Sequence, residues 1–441
     1  MRKVIIRKCD SYDDSEKIIK IINEGIEKLS LKEKIRGKIV IKPNVVLAHK
    51  KVAPSAFTRP EIIDSLIKSI KSLKNEIFSF VLIENSGTGI PTSRMFRKAG
   101  YFSLRKNHPE LKLSPFEESI KVTVPLKKGK VHKEIKVQKD LVEKDFLIYA
   151  PKLKTNVLSH GITSAIKLNI GIIGDKERMK FHTYQLPEKI VDLLEVGYPD
   201  LIVTDAIEIA MGGNQMTEHS LNLGIIIISN HPLSHDVVCA HILNLKPEEI
   251  PVLKEAEERG YGSLNINEIE IDTDIPLEEL KKRTSVRENG FRRVDSVEGP
   301  VKVYAGEPYC FGGCHGVFLD WLYMLKDRAP LTFEKKKDIA VVIGEVEGDV
   351  KAKKVIIVGD CSKVKGNIEA KKISKIKGCP TRHKDIILYL LLKSGIKSPL
   401  FRIDLLVDSY PFLFWSNFKG FTKNLISFKK LDKNRTTQNK I

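Results

Sequence analysis

The chain has no apolar run long enough to cross a bilayer. Its longest, such as Leu223 to Ile228, stop after a few residues, where a spanning helix needs about 20. A secretory leader is missing too. Met-Arg-Lys-Val-Ile-Ile-Arg-Lys opens on positive charge, but its apolar stretch breaks after three residues, so a cytoplasmic protein with reduced thiols is expected. Acidic residues are in deficit: 56 Asp and Glu face 75 Lys and Arg, a formal net charge of +19. The lysines are scattered, and no RNA-module motif, zinc-finger spacing, low-complexity tract or internal repeat accompanies them. A solvated basic surface explains most of them, and no nucleic-acid partner is expected. Cysteine is sparse, with six in 441 residues. In a reducing compartment, grouped cysteines read as ligands rather than disulfides.

What is present reads as α/β. Residues 2–7 alternate, and a helical segment near Ser15 to Leu29 follows. Gly37 to Asn44, Phe78 to Glu84, Asp145 to Ala150, Leu201 to Asp205 and Gly224 to Ser229 read as strands, several of them continuously apolar and so covered on both faces. Helical stretches lie between them, from about Pro60 to Leu73 with Thr58 placed as its cap, Glu188 to Glu195 and Asp236 to Leu243. Lys121 to Val137 reads as a hairpin. This order predicts a largely parallel sheet with flanking helices. The expected organisation is an anion-binding α/β domain over 1–265, a charged linker over 266–300, a smaller α/β lobe with a cysteine metal site over 301–400, and an aromatic, basic tail over 401–441. That lobe should hold strands at Asp338 to Ile343 and Lys354 to Val358 and a helix at His383 to Lys393. The tail is expected as a packing arm with a frayed basic end in preference to a membrane-surface element.

Four cysteines fall in the last third: Cys310 and Cys314 in Tyr-Cys-Phe-Gly-Gly-Cys-His-Gly, Cys361 in Ile-Val-Gly-Asp-Cys, and Cys379 in Lys-Gly-Cys-Pro-Thr. Each sits in or beside a glycine turn. Four thiolates suit tetrahedral zinc or an iron–sulfur cluster. Zinc ribbons pair their cysteines in two short hooks, whereas Cys361 and Cys379 stand well apart here, which favours a 4Fe–4S cluster held by several loops. Lys363, Lys365, Lys377 and Arg382 would offset its charge. His315 and His383, near ligands in sequence, are expected as ordinary histidines. Cys9 and Cys239 stand alone and read as core residues.

Several predicted strands end in turns rich in lysine and small residues. Lys42 and Asn44 end one. Lys152, Lys154, His160, Ser164, Lys167 and Asn169 follow another within eighteen residues. A lysine in an apolar stretch is costly unless it pairs or meets a ligand. Lys42, Asn44, Lys152, Lys154, Lys167 and Asn169 are therefore candidates to bind a carboxylate or phosphate. His160, His182 and Asp205 are the acid–base candidates. Asp236 is placed to cap the helix it opens.

In order along the chain, Lys42-Pro-Asn44, Thr58-Arg-Pro60, Pro151-Lys-Leu-Lys154, Ala165-Ile-Lys-Leu-Asn-Ile-Gly171, His182, Pro199-Asp-Leu-Ile-Val-Thr-Asp205 and His235-Asp236 resemble domain-of-unknown-function family 362, over roughly residues 35–265. Members often accompany iron–sulfur modules, so the resemblance implies iron–sulfur over zinc. The segment 301–394 departs from a dicluster ferredoxin insert, which argues against relay between two clusters. The resulting expectation is an iron–sulfur oxidoreductase or lyase acting on an anionic small molecule, with an electron-transfer partner where the chemistry is redox. The alternative is a non-catalytic binding or assembly protein with a structural zinc or cluster.

Overall fold

The computed structural model describes residues 2–49, 53–214, 220–399, 412 and 414–423. The first part of the chain supplies strands β1 (Arg2–Lys8), β2 (Gly37–Pro43), β3 (Ile77–Glu84), β4 (Leu111–Pro115), the hairpin β5 (Lys121–Pro125) and β6 (Glu134–Gln138), β7 (Phe146–Ala150), β8 (Lys152–Asn156), β9 (Gly161–Thr163), β10 (Leu201–Ala210), β11 (Ser220–Ser229) and β12 (Ile269–Thr273). Eight of them order as β12-β1-β11-β10-β7-β2-β3-β4, with β8 and β9 attached at β10. All pairings in this sheet are parallel except those of β11 and of the short β9. The largely parallel α/β architecture expected from the sequence is what the chain forms.

The helices cover both faces for the reason their patterns give. Ser15–Lys28 turns Ile18, Ile21, Ile22 and Ile26 to one side, and Pro60–Ser72 does the same with Ile62, Ile63, Leu66, Ile67 and Ile70. Each such side chain taken out of water contributes about 2 kcal/mol. Asp14 caps the first helix through Lys17 N. Thr58 does not cap the second. Its hydroxyl accepts from Asn44 N and donates to Ala150 O, tying the ends of β2 and β7 together. No described helix is long and apolar enough to cross a membrane.

Two stretches differ from their sequence reading. Residues 266–300, expected as a linker, contribute β12, which pairs with β1, and a helix at Leu277–Thr284 that buries Leu280. The cysteine lobe is not an ordinary βα alternation. It holds β13 (Lys302–Ala305), β14 (Ile339–Val346), β15 (Val350–Lys351), β16 (Lys354–Val364), β17 (Ile368–Glu369) and β18 (Lys372–Ile376). The sheet β13-β14-β16-β18 is wholly parallel, and β15 stacks in parallel on β17. Parallel neighbours normally need a long crossover. The helix Cys314–Arg328 supplies one between β13 and β14, but from β14 to β18 the chain instead coils, and each turn returns beneath the last.

The coil exposes an internal repeat. Gly348-Asp-Val-Lys-Ala-Lys-Lys-Val355 recurs as Gly366-Asn-Ile-Glu-Ala-Lys-Lys-Ile373, eighteen residues on. The register keeps that offset, with Val350 opposite Ile368 and Val358 opposite Ile376. Gly366 lies directly on Gly348: a Cβ there would come within 2.4 Å of the Gly348 carbonyl. Asp349 staples the turn by accepting from Asn367 N at 2.7 Å. Side chains alternate along β16 as strand geometry demands. Val355 fills the coil's own interior with Ala340 and Val342. Ile356 and Val358 face the helix Cys314–Arg328, joining Phe318, Trp321 and Leu322 in a core continuous with that of the larger sheet.

Candidate metal centre and the buried lysines

The cysteines arrive from three segments. Cys310 lies in the loop after β13, and Cys314 opens the helix Cys314–Arg328. Cys361 and Cys379 sit at equivalent positions of successive coils, where Asp360 N donates to Gly378 O at 3.1 Å. Burial first, and then the neighbouring Cys314, Cys379 and Cys361, push the Cys310 thiol up to about 12. Burial also raises Cys314, against hydrogen bonds from Thr381, and Cys361 adds to the rise. Cys379 is raised by burial, Cys361 and Cys314. The four thiols thus lie close enough to feel one another's charge. Glycines make room for them: a Cβ on Gly313 would strike Cys310 Sγ, and one on Gly359 would lie 3.6 Å from Cys314 Sγ. Among the described residues, no group of three or more His, Cys, Asp or Glu side chains gathers around the position of one metal ion. By chemistry alone, four cysteine thiols are a donor set suited to a thiolate-bound inorganic core.

The nearby histidines divide. His315 Nδ1 accepts from Cys310 N at 3.0 Å, and its Nε2 faces Ile343 O at 3.2 Å. A carbonyl only accepts, so both ring nitrogens are engaged, and burial lowers this histidine to about 4. It shapes the loop. His383 opens the helix His383–Ser394, and burial lowers it to about 4. Its Nε2 has no hydrogen-bond partner among the described residues. Its ring lies 6.0 Å from that of His182. His182 Nδ1 donates to the carbonyl of Gly312, inside the cysteine loop. Its pKa is driven far down by burial, then by Lys189 and His383, with Lys167 adding to the effect. His182 is therefore neutral, with its proton on Nδ1 and its lone pair on Nε2. It stands between the thiols and the lysines.

The buried lysines fall into two sets. Lys42 pairs with Glu84 at 2.9 Å, and Glu84 also accepts from Val45 N and Asn85 N. Lys152 pairs with Asp205 at 3.0 Å, both fully buried. Asp205 further accepts from Tyr12 Oη at 2.7 Å and Arg59 N at 3.0 Å. These two lysines are held in ion pairs at strand ends, and Asp205 fixes the position of Lys152. The second set is Lys154 and Lys167. Lys154 donates to Ala56 O at 3.0 Å. Burial, helped by Lys152, lowers it to about 7. Lys167 donates to Thr163 Oγ1 at 3.4 Å, and burial and Lys154 hold it well below its usual value, with Asp320 opposing. Two further cations were not legible in sequence. Lys189 donates to the carbonyls of Arg178 and Lys180, and burial lowers it to about 7. Arg178 donates to Ser86 O and to Asn85 O. Both look like ordinary surface charges in Asp-Lys-Glu-Arg-Met and Leu-Pro-Glu-Lys-Ile.

Other expected residues take different places. Asn169 accepts from Tyr149 Oη at 2.7 Å and donates to Ile166 O, a structural role. Asn44 N donates to the Thr58 hydroxyl and its carbonyl accepts from Thr58 N, while its Oδ1 is buried without a partner among the described residues. Ser86 Oγ and Arg178 Nε are likewise buried and unmatched among the described residues. His160 takes a left-handed conformation, φ 45°, packs on Phe291 and Phe311, and lines a cavity of about 240 Å³ with Arg292, Arg293 and Tyr309. These contacts place it on a flank of the cysteine loop. Asp236 lies within the helix Pro232–Ile242 and caps another one, accepting from Ala165 N and Ile166 N at 2.8 and 3.0 Å.

A doubly covered, mostly parallel sheet with a cationic interior, joined to a thiol-bearing coil, defines an α/β protein with a candidate metal centre. Residues 39–241 match the model of the domain of unknown function DUF362. The match includes the lysines and His182 and ends before the four cysteines. Among curated proteins no sequence match was found. Among solved structures, the lactate racemase apoprotein from Thermoanaerobacterium thermosaccharolyticum is similar at 13% identity and a TM-score of 0.35, over 78% of this chain and 70% of that one. At that TM-score the likeness carries no inference about activity.

Proposed function

We propose that this chain is an iron–sulfur enzyme, an oxidoreductase or lyase, acting on a small carboxylate or phosphate compound. Cys310, Cys314, Cys361 and Cys379 would hold a 4Fe–4S cluster. Bound there, the cluster would supply either electrons or a Lewis-acidic iron. Lys154 and Lys167 would hold the anion, with Lys189 and Arg178 adding positive potential. Asn44 Oδ1, Ser86 Oγ and Arg178 Nε are buried polar atoms of the sort that a ligand or water satisfies. His182, with a free lone pair on Nε2, would take or return the substrate proton. The observation that carries this reading is the position of His182, hydrogen-bonded to Gly312 between two cysteines while Lys189 and Lys167 depress its pKa.

The test is iron, zinc and acid-labile sulfide analysis of anaerobically prepared protein, with low-temperature electron paramagnetic resonance after reduction. Iron and sulfide in near-equal amounts and a reduced-cluster signal support the proposal. Stoichiometric zinc without iron overturns its redox form. The closed Lys42–Glu84 and Lys152–Asp205 pairs favour one second reading, a binding or assembly protein with a structural metal. That reading gains if Lys167→Ala leaves anion binding unchanged.

A further inference from the structure

The last described helix is built inside out. Residues 414–423 are helical, and the side turned to the protein carries small residues. Ser416 Oγ donates to Glu118 Oε1 at 3.0 Å and lies 2.9 Å from Ser93 Oγ. Gly420 packs on the Glu117 carbonyl so closely that a Cβ would collide with it. The large residues point away: Phe414 is 76% exposed, Trp415 55%, Phe418 51% and Phe421 63%. Trp415 and Phe418 stack with centroids 6.1 Å apart, and Lys419 Nζ lies 5.9 Å from the Trp415 ring. A helix that docks to complete a core turns its aromatics inward. Ser416 and Gly420 instead let this backbone approach residues 116–118 and fix an aromatic face outward, an apolar patch of the kind that marks an interaction site.

Lys419 and Lys423 in the helix, and the basic sequence that follows it, select the occupant. Phe421 to Ile441 carries six Lys or Arg against one Asp, in a chain of net charge +19. An apolar protein groove would accept the rings and leave the cations unmatched. A bilayer surface with anionic headgroups accepts both, with the rings at the headgroup–acyl boundary and the lysines among the phosphates. We propose that this helix seats the protein on the surface of an anionic-lipid membrane, lying in the interface plane. The proposal is independent of the metal centre.

The test uses the full chain with vesicles of phosphatidylcholine alone or with about one third phosphatidylglycerol, read by co-sedimentation and tryptophan emission. Trp321 is 1% exposed, so a blue shift reports Trp415. The expected result is binding at least about tenfold tighter to the anionic vesicles, weakened by salt, with a blue shift. The variant Phe414→Ser/Trp415→Ser/Phe418→Ser, whose substitutions are all at exposed positions, should melt as the parent does and lose at least tenfold in co-sedimentation. Equal binding by parent and variant, equal binding to both vesicle types, or no binding at all overturns the proposal. So does a dimer of the free protein that the variant dissolves, since the aromatic face would then belong to a second copy.

Discussion

Cys361 and Cys379 occupy the same position in successive turns of a parallel coil, with Asp360 N bonded to Gly378 O between them. The eighteen-residue repeat therefore places these two cysteines at equivalent points of successive turns. The helix that starts at Cys314 is packed on the same coil, and the loop before it carries Cys310. The approach of the four cysteines is a product of the coil's stacking and of nothing local to any one of them.

Replacing either stacked cysteine should empty the centre. Cys361→Ser and Cys379→Ser are each expected to lower bound metal to less than about half of the parent level. Cys9→Ala, remote from the set, should leave it unchanged. Metal and sulfide per chain, measured on identically prepared proteins, check this.

The coil's turn predicts a steric sensitivity. Gly366→Ala places a methyl 2.4 Å from the Gly348 carbonyl, and the backbone must shift to admit it. We expect a loss of about 1–3 kcal/mol in urea unfolding. Bound metal should fall with it, because the displaced turn precedes Cys379.

The two lysine sets should behave oppositely. Lys152→Met leaves Asp205 buried without its cation and is expected to cost about 3–5 kcal/mol of stability. Lys167→Met removes a buried charge that no described carboxylate meets at ion-pair distance. It should be neutral or stabilising, while binding of phosphate or a small carboxylate, followed by calorimetry, weakens at least about tenfold.

The titration of Lys154 and Lys189 near 7 predicts a pH slope. Both are lowered from the unfolded value of about 10.4. Between these values the unfolded chain binds more protons than the native one, so stability rises with pH across that window. Below about 7 both states are protonated and the slope from these groups vanishes. From pH 7 to 8 each lysine should add up to about 1.4 kcal/mol. Urea unfolding at the two pH values should show this rise, and the double variant Lys154→Met/Lys189→Met should lack it. Anion affinity runs the other way and falls above pH 7, because the neutral amines no longer attract the ligand.

Much of the fold was legible because its signals are local. Continuous apolar runs such as Leu201 to Asp205 mark strands covered on both faces, and the isoleucines of Ser15–Lys28 fall on one helical stripe. The strand at 269–273 was hidden, since Ile-Glu-Ile-Asp-Thr is short and charged and lies at the sheet edge beside β1. The repeat was hidden by its substitutions, with Ile356 and Ile357 answered by Ser374 and Lys375 on the last, more exposed turn. Its glycines, alanines and cysteines kept their spacing and were the signal to follow. Asp236 was misplaced because a carboxylate one turn into a helix can reach the end of another that packs beside it.

By itself, the sequence determined the alternation of strands and helices, the thiol and lysine inventory, and the excess of positive charge. Those properties depend on residue type and near-neighbour spacing. Only the tertiary structure decided that Lys42 and Lys152 are spent on Glu84 and Asp205, that His182 meets Gly312, and that Cys361 and Cys379 stand on successive turns of one coil. Ion pairing, desolvation and ligand geometry act through space over a few ångströms, and the partners here stand tens to more than a hundred residues apart along the chain.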